Sequence, residues 1–87
     1  MKIKDGFILR KVADTYIAVA TGAESVEFNA MVTINETGAF LWEKLQKETT
    51  EEELLAYLLS EYDVDEETAK ADISEFLNKL RDGKLLV

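Results

Sequence analysis

The sequence predicts an α+β fold: a small antiparallel three-stranded sheet followed by three helices, in a winged helix-turn-helix-like arrangement. Three observations lead there. The hydrophobic period is near 2 up to Ile34 and near 3.6 from Asn35 onward. Helix-start signals stand at Asn35, Thr50 and Asp65, with short connections between the elements. A chain of 87 residues, 47% of them hydrophobic, fills one core but not two, so residues 1–87 are expected to form a single domain.

The sheet is expected over about residues 7–34. Phe7–Val12 and Tyr16–Ala20 are rich in apolar and branched residues, and Asp14-Thr15 between them reads as a tight turn. Gly22–Ser25 breaks the pattern; Val26-Glu27-Phe28 resumes the alternation, Asn29-Ala30 can turn, and Met31–Ile34 forms a short last strand. The first helix is expected over about 36–47, capped by Asn35, with Leu41, Trp42 and Leu45 on one face. Thr50-Glu51-Glu52-Glu53 is a capping box and opens a second helix over about 50–62, carrying the stripe Leu54, Leu55, Leu58, Leu59, Tyr62. Asp65 caps a third over about 65–82, which buries Ala69, Ile73, Phe76, Leu77 and Leu80. Gly83 is the expected left-handed terminator, and Leu85-Leu86-Val87 are expected to tuck onto the core or pair with the sheet.

Composition excludes several kinds of chemistry. Without Cys or His there is no disulfide, thiolate zinc site, iron–sulfur cluster or Ser-His-Asp triad within the chain. No apolar run approaches the roughly 18 residues of a membrane span, and the N-terminus lacks a signal-peptide core, so a cytoplasmic protein off the membrane is expected. The net charge is −8, and its distribution is uneven. Residues 1–47 carry six basic and six acidic side chains, whereas residues 48–87 carry four and twelve. Such a surface repels a phosphate backbone and weakly favours a basic partner.

No catalytic constellation stands out. Asp63, Asp65, Glu66 and Glu67 lack the central Gly and distal Glu of a calcium loop and read as helix capping. Asp72 and Glu75 have no partner base. Trp42 keeps helical spacing with Leu41 and Leu45, which marks it as core. The expectation is a protein that is not an enzyme and needs no cofactor or metal, as a monomer or weak homodimer.

One feature points to binding. Met31-Val32-Thr33-Ile34 is a short uncharged strand without the Lys, Pro or bulge that usually protects a sheet edge. On a helical projection of the third helix, Thr68, Asp72, Glu75 and Lys79 line one shoulder. A groove between an open edge and that shoulder would suit β-strand addition, with main-chain hydrogen bonds on one side and selective side chains on the other. Phe28 and Phe76 are candidates for its floor, with core packing the favoured reading of Phe76. The opposing expectation is an edge covered by the C-terminal tail or by a second copy.

The ordered set Ile34-Asn35-Glu36-Thr37-Gly38-Ala39 with Leu41-Trp42, then Thr50-Glu51-Glu52-Glu53-Leu54, then Asp72-Ile73-Ser74-Glu75-Phe76-Leu77 with Leu80, Gly83 and Leu85, resembles the PqqD-like family. The likeness runs over about residues 5–87. Two features depart from the family pattern. Lys47-Glu48-Thr49 stands where an Asp-Gly pair commonly precedes the family's Thr-x-x-Glu, and Gly22–Glu27 looks like an added loop or half-strand. The resemblance implies a non-catalytic recognition element for ribosomally made, post-translationally modified peptides. The leader of a precursor peptide would add as a strand beside Met31–Ile34 and pack on the third helix. The domain would then present the precursor to a modifying enzyme, such as a radical S-adenosylmethionine enzyme. Two other readings stay open: a winged-helix-like regulator, disfavoured by Asp72 and Glu75 in mid-helix, and an acidic adaptor that binds a basic protein surface.

Overall fold

The computed structural model describes residues 1–21 and 32–87. Strands β1 (Phe7–Val12), β2 (Thr15–Ala20) and β3 (Val32–Ile34) form one antiparallel sheet in the order β1-β2-β3. Helices α1 (Glu36–Lys44), α2 (Glu51–Glu61) and α3 (Glu66–Asp82) follow. The α+β class and the three-strand, three-helix order are as the sequence predicts. The readings that fall on Gly22–Met31, including the extra half-strand, Phe28 and Met31, lie outside the described residues.

The β1–β2 hairpin closes one residue earlier than expected. Val12 pairs with Thr15, so the loop is Ala13-Asp14 and Thr15 belongs to the strand. Ala13 takes φ 56°, the positive value that the first position of such a two-residue loop requires. Inward-facing Phe7 and Ala18 and the end of β3, Ile34, supply the sheet's share of the core.

Each helix begins where the sequence places its cap. The Asn35 side chain accepts from the Gly38 amide at 2.7 Å. Thr50 and Glu53 make a reciprocal capping box. Asp65 accepts from the Thr68 amide at 2.7 Å, and these hydrogen bonds from Thr68 hold the Asp65 carboxyl below its ordinary pKa. Helix α1 stops at Lys44 rather than at 47. The Thr49 hydroxyl, 4% exposed, lies 2.9 Å from the Lys44 carbonyl and 2.8 Å from that of Lys47, and its one proton serves either. The Gln46 amide takes the Trp42 carbonyl at 3.2 Å. These contacts satisfy the end carbonyls without another helical turn.

The end of α3 corrects another expectation. Gly83 is right-handed, with φ −83°, and it is Lys84 that is left-handed, with φ 60°. Leu85 N–H bonds the Leu80 carbonyl at 2.8 Å and Lys84 N–H that of Arg81 at 3.0 Å, the paired bonds of a Schellman motif. Its hydrophobic contact is Leu80 with Leu85, both fully buried. Gly83 serves a different purpose: a Cβ there would come within 3.3 Å of Val32 Cγ2, so the missing side chain lets α3 end against β3.

The tail turns away from the sheet. Leu86 bridges Ile3, the Lys4 amide bonds the Leu85 carbonyl at 2.7 Å, and the Ile3 amide bonds the Leu45 carbonyl at 2.9 Å. The tail therefore leaves the outer edge of β3 uncovered. Leu41, Trp42 and Leu45 of α1, Leu54 and Leu58 of α2, and all five predicted residues of α3 are buried together. Among the described residues no helix is long and apolar enough to cross a membrane.

Candidate functional site: the groove between β3 and α3

Ladder phase decides which main-chain groups of β3 are available. Thr21 N–H bonds the Gly6 carbonyl at 2.7 Å, so 6 and 21 are a hydrogen-bonded pair. Pairing alternates along an antiparallel ladder, which makes Arg10–Ile17 hydrogen-bonded as well. The main-chain groups of Ile17 thus face β1. Across the other side of β2, Ile17–Thr33 is then a non-bonded pair, while Tyr16–Ile34 and Ala18–Val32 are bonded. Thr33 directs both its N–H and its carbonyl outward, away from β2.

An independent contact agrees. Lys79 Nζ of α3 donates to the Thr33 carbonyl at 3.0 Å, which it reaches only if that carbonyl faces outward. The exposed edge of β3 is therefore asymmetric: its acceptor is held by α3, and the Thr33 N–H has no partner among the described residues.

A shallow depression of about 30 Å³ lies between the end of β3 and α3. Ile34, Asp72, Glu75, Phe76 and Lys79, all read from the sequence as site residues, line it. Ile34 (2% exposed) and Phe76 (6%) are primarily core and offer only an edge to the groove. Asp72 is half-buried, and Glu75 and Lys79 are exposed. Thr33 joins the site through Lys79, and half-buried Val32 sits behind it against Gly83. Thr68, a turn before Asp72, does not reach the depression. Phe28 and Met31 lie outside the described residues.

The structure adds Asn35, Thr37 and Gly38 to the lining. Gly38 carries a specific constraint: a Cβ there would lie 2.5 Å from Ile34 Cγ2 and 3.1 Å from Phe76 Cδ1. A glycine in the first turn of a helix, where it is a poor helix former, was the signal available in the sequence. Gly38→Ala is expected to force these neighbours apart and lower stability by about 1–3 kcal/mol, read from a chemical denaturation curve.

Among the described residues no cluster of acidic side chains is arranged to hold a metal ion. The groove instead presents a main-chain donor without a partner among the described residues, a cation and two carboxylates beside the edges of Ile34 and Phe76. Those are the components of a surface that receives an extended polypeptide.

The family model for coenzyme PQQ synthesis protein D (PqqD) matches residues 9–86, and the chain belongs to this family. Two solved structures share the fold. One, described as TbiB1 in complex with the TbiA(beta) leader peptide, is 24% identical over 99% of this chain and 94% of its own, with a TM-score of 0.76. The other, a lasso peptide synthetase B1 complexed with the leader peptide, is 17% identical over 97% and 93%, with a TM-score of 0.70. No curated protein sequence matches.

Proposed function

We propose that this protein binds the leader of a ribosomally made precursor peptide by strand addition to β3, beside α3, and presents the precursor to a modifying enzyme. The observation that carries the reading is the outward N–H of Thr33, which has no partner among the described residues and is flanked by Asp72, Glu75 and Lys79. Membership of the PqqD family, and the leader peptides bound to the two structural neighbours, support it. Asp72 and Glu75 would select basic leader side chains. The protein would contribute no bond-making chemistry of its own; it would raise the effective concentration of the core peptide at the enzyme. A radical S-adenosylmethionine enzyme is the partner proposed.

The test uses synthetic peptides with the sequences of any short open reading frames found beside the gene. The Thr33 amide is expected to exchange rapidly with solvent in the free protein and slowly once a leader binds. A leader that binds while Thr33 exchange stays unchanged places the groove elsewhere.

A winged-helix regulator makes the opposite prediction about DNA. The acidic second half leads us to expect no binding tighter than the weak non-specific range, roughly 10⁻⁴ M, in an anisotropy titration with duplex DNA at about 50 mM salt. Sub-micromolar, sequence-dependent binding would reverse that reading.

A further inference from the structure

Helix α3 offers Lys79 an ion partner that it does not take. Glu75 stands four residues before it, the spacing and order in which a helix favours an acid–base pair. The same spacing does form a pair earlier on α3, Glu66 with Lys70 at 3.9 Å. Lys79 turns its ammonium to the Thr33 carbonyl instead, at 3.0 Å. Among the described residues the ion pairs of α3 are those of Lys70 and Arg81, so Asp72, Glu75 and Lys79 line the depression with no ion partner.

Strand addition at β3 claims the atom that Lys79 holds. In an antiparallel ladder a hydrogen-bonded pair exchanges both of its N–H···O bonds. A strand paired with Thr33 accepts from the Thr33 N–H and brings its own N–H to the Thr33 carbonyl, in competition with Lys79. An ammonium displaced from that carbonyl lies between the new strand and α3, where the strand has excluded water. A charge left there without an acceptor is costly, so the incoming strand has to supply one.

The fold sets where that acceptor stands. Phe76 and Ile34 meet beside Gly38, Lys79 reaches Thr33, and Gly83 approaches Val32. Helix α3 and β3 therefore run in opposite senses. A strand added antiparallel to β3, the sense of both pairings already in this sheet, runs in the same sense as α3. Ile34 is buried and Val32 packs towards Gly83, so these two face the helices and Thr33 between them faces away. Residues directly opposite share a face, so the two residues flanking the one paired with Thr33 are those that face α3. The preceding residue lies opposite Ile34, which lines the depression with Asp72 and Glu75. The following residue lies opposite Val32, between the levels of Lys79 and Gly83. The two are roughly 6.8 Å apart along a strand, and Glu75 and Lys79 are about 6 Å apart along α3.

We infer that Lys79 is a specificity-determining residue of this groove: it releases the Thr33 carbonyl to the incoming strand and pairs with a carboxylate of the leader. The leader sequence it favours is basic-x-acidic in chain order, with x paired to Thr33, the basic residue facing Asp72 and Glu75 and the acidic one facing Lys79. This rests on the reading of β3 as the leader-accepting strand and adds to it the order of charges that is accepted.

Two blocked peptides of identical composition and net charge test the order alone: acetyl-Thr-Val-Lys-Thr-Glu-Val-Thr-amide and its charge-swapped twin acetyl-Thr-Val-Glu-Thr-Lys-Val-Thr-amide. Each is titrated into the full chain up to about 1 mM, with amide exchange at Thr33 as the readout. The first is expected to slow Thr33 exchange and to bind about fivefold more tightly than the second. Lys79→Gln is expected to melt like the parent, since the side chain is exposed, and to cut that preference below about twofold. Equal binding of the two peptides by the parent overturns the inference. A fivefold preference that survives in Lys79→Gln also overturns it, by placing the selection on another residue. So does a Lys-Thr-Glu peptide that leaves Thr33 exchange unchanged. None of these outcomes decides strand addition itself, which is tested separately by whether a leader of any charge order protects the Thr33 amide.

Discussion

Phe76→Ala is expected to destabilise the protein by about 3–5 kcal/mol, the cost of emptying a buried aromatic site. Phe76 is 6% exposed and packs among Ile73, Leu77 and Leu80 of its own helix and the rest of the core. Its ring also lies close to the backbone of Gly38, so the cavity would open under the start of α1 and beside Ile34. A domain of this size has about 5–15 kcal/mol of total stability, so the variant should be partly or largely unfolded at room temperature. Thermal melts followed by circular dichroism would show this. Phe76→Leu keeps most of the volume and should retain a cooperative melt. A Phe76→Ala protein that melts like the parent and yet fails to bind a leader would move Phe76 from the core to the recognition surface.

Much of this fold was legible because it rests on local chemistry. The caps at Asn35, Thr50 and Asp65 are side-chain-to-backbone bonds within three residues, and all three form as read. The stripes of α1 and α3 follow from a 3.6-residue period, and they are buried. The misreadings lie where distant segments decide. Gly83 looked like a left-handed cap by composition alone. Its role is set by Val32, a residue from the sheet, and the positive φ moves to Lys84. The early stop of α1 depends on Thr49, a buried polar residue whose partners are carbonyls of the preceding turn. The hairpin loop shifted by one residue because strand register, not turn propensity, closes Val12 on Thr15.

The candidate site divides in the same way. An unprotected short strand was visible at Met31–Ile34, of which Val32–Ile34 is the strand described, and helical projection placed Thr68, Asp72, Glu75 and Lys79 on one side of α3. What the sequence could not supply was ladder phase. Which of three neighbouring amides faces outward depends on Gly6, Thr21 and the pairing of β1 with β2. Nor could it show that Lys79 reaches the Thr33 carbonyl, since the two residues are 46 positions apart. Lys79 thus supplies from the neighbouring helix the edge protection that β3 lacks in its own residues.

Ladder phase makes the proline series on β3 selective. Thr33→Pro is expected to fold and to lose leader binding by at least about tenfold, roughly 1.4 kcal/mol. Proline removes an N–H, but that of Thr33 faces outward, so no ladder bond within the sheet is lost. The residue before a proline is pushed toward extended backbone, which Val32 already adopts in β3. The group that disappears is the one outward donor that an added strand would use here, and the pyrrolidine ring would stand where the incoming carbonyl has to approach. Val32→Pro and Ile34→Pro are the controls, because their amides face β2 in the bonded pairs with Ala18 and Tyr16. Each should weaken the attachment of β3 and lower the melting temperature well below that of Thr33→Pro. Titration of each variant with a leader that binds the parent, alongside its melting curve, separates the effects. If Thr33→Pro binds that leader as tightly as the parent does, strand addition at β3 is wrong, whatever else the peptide touches. If Thr33→Pro unfolds while Val32→Pro stays folded, the ladder phase itself is reversed, and the outward donors belong to Val32 and Ile34.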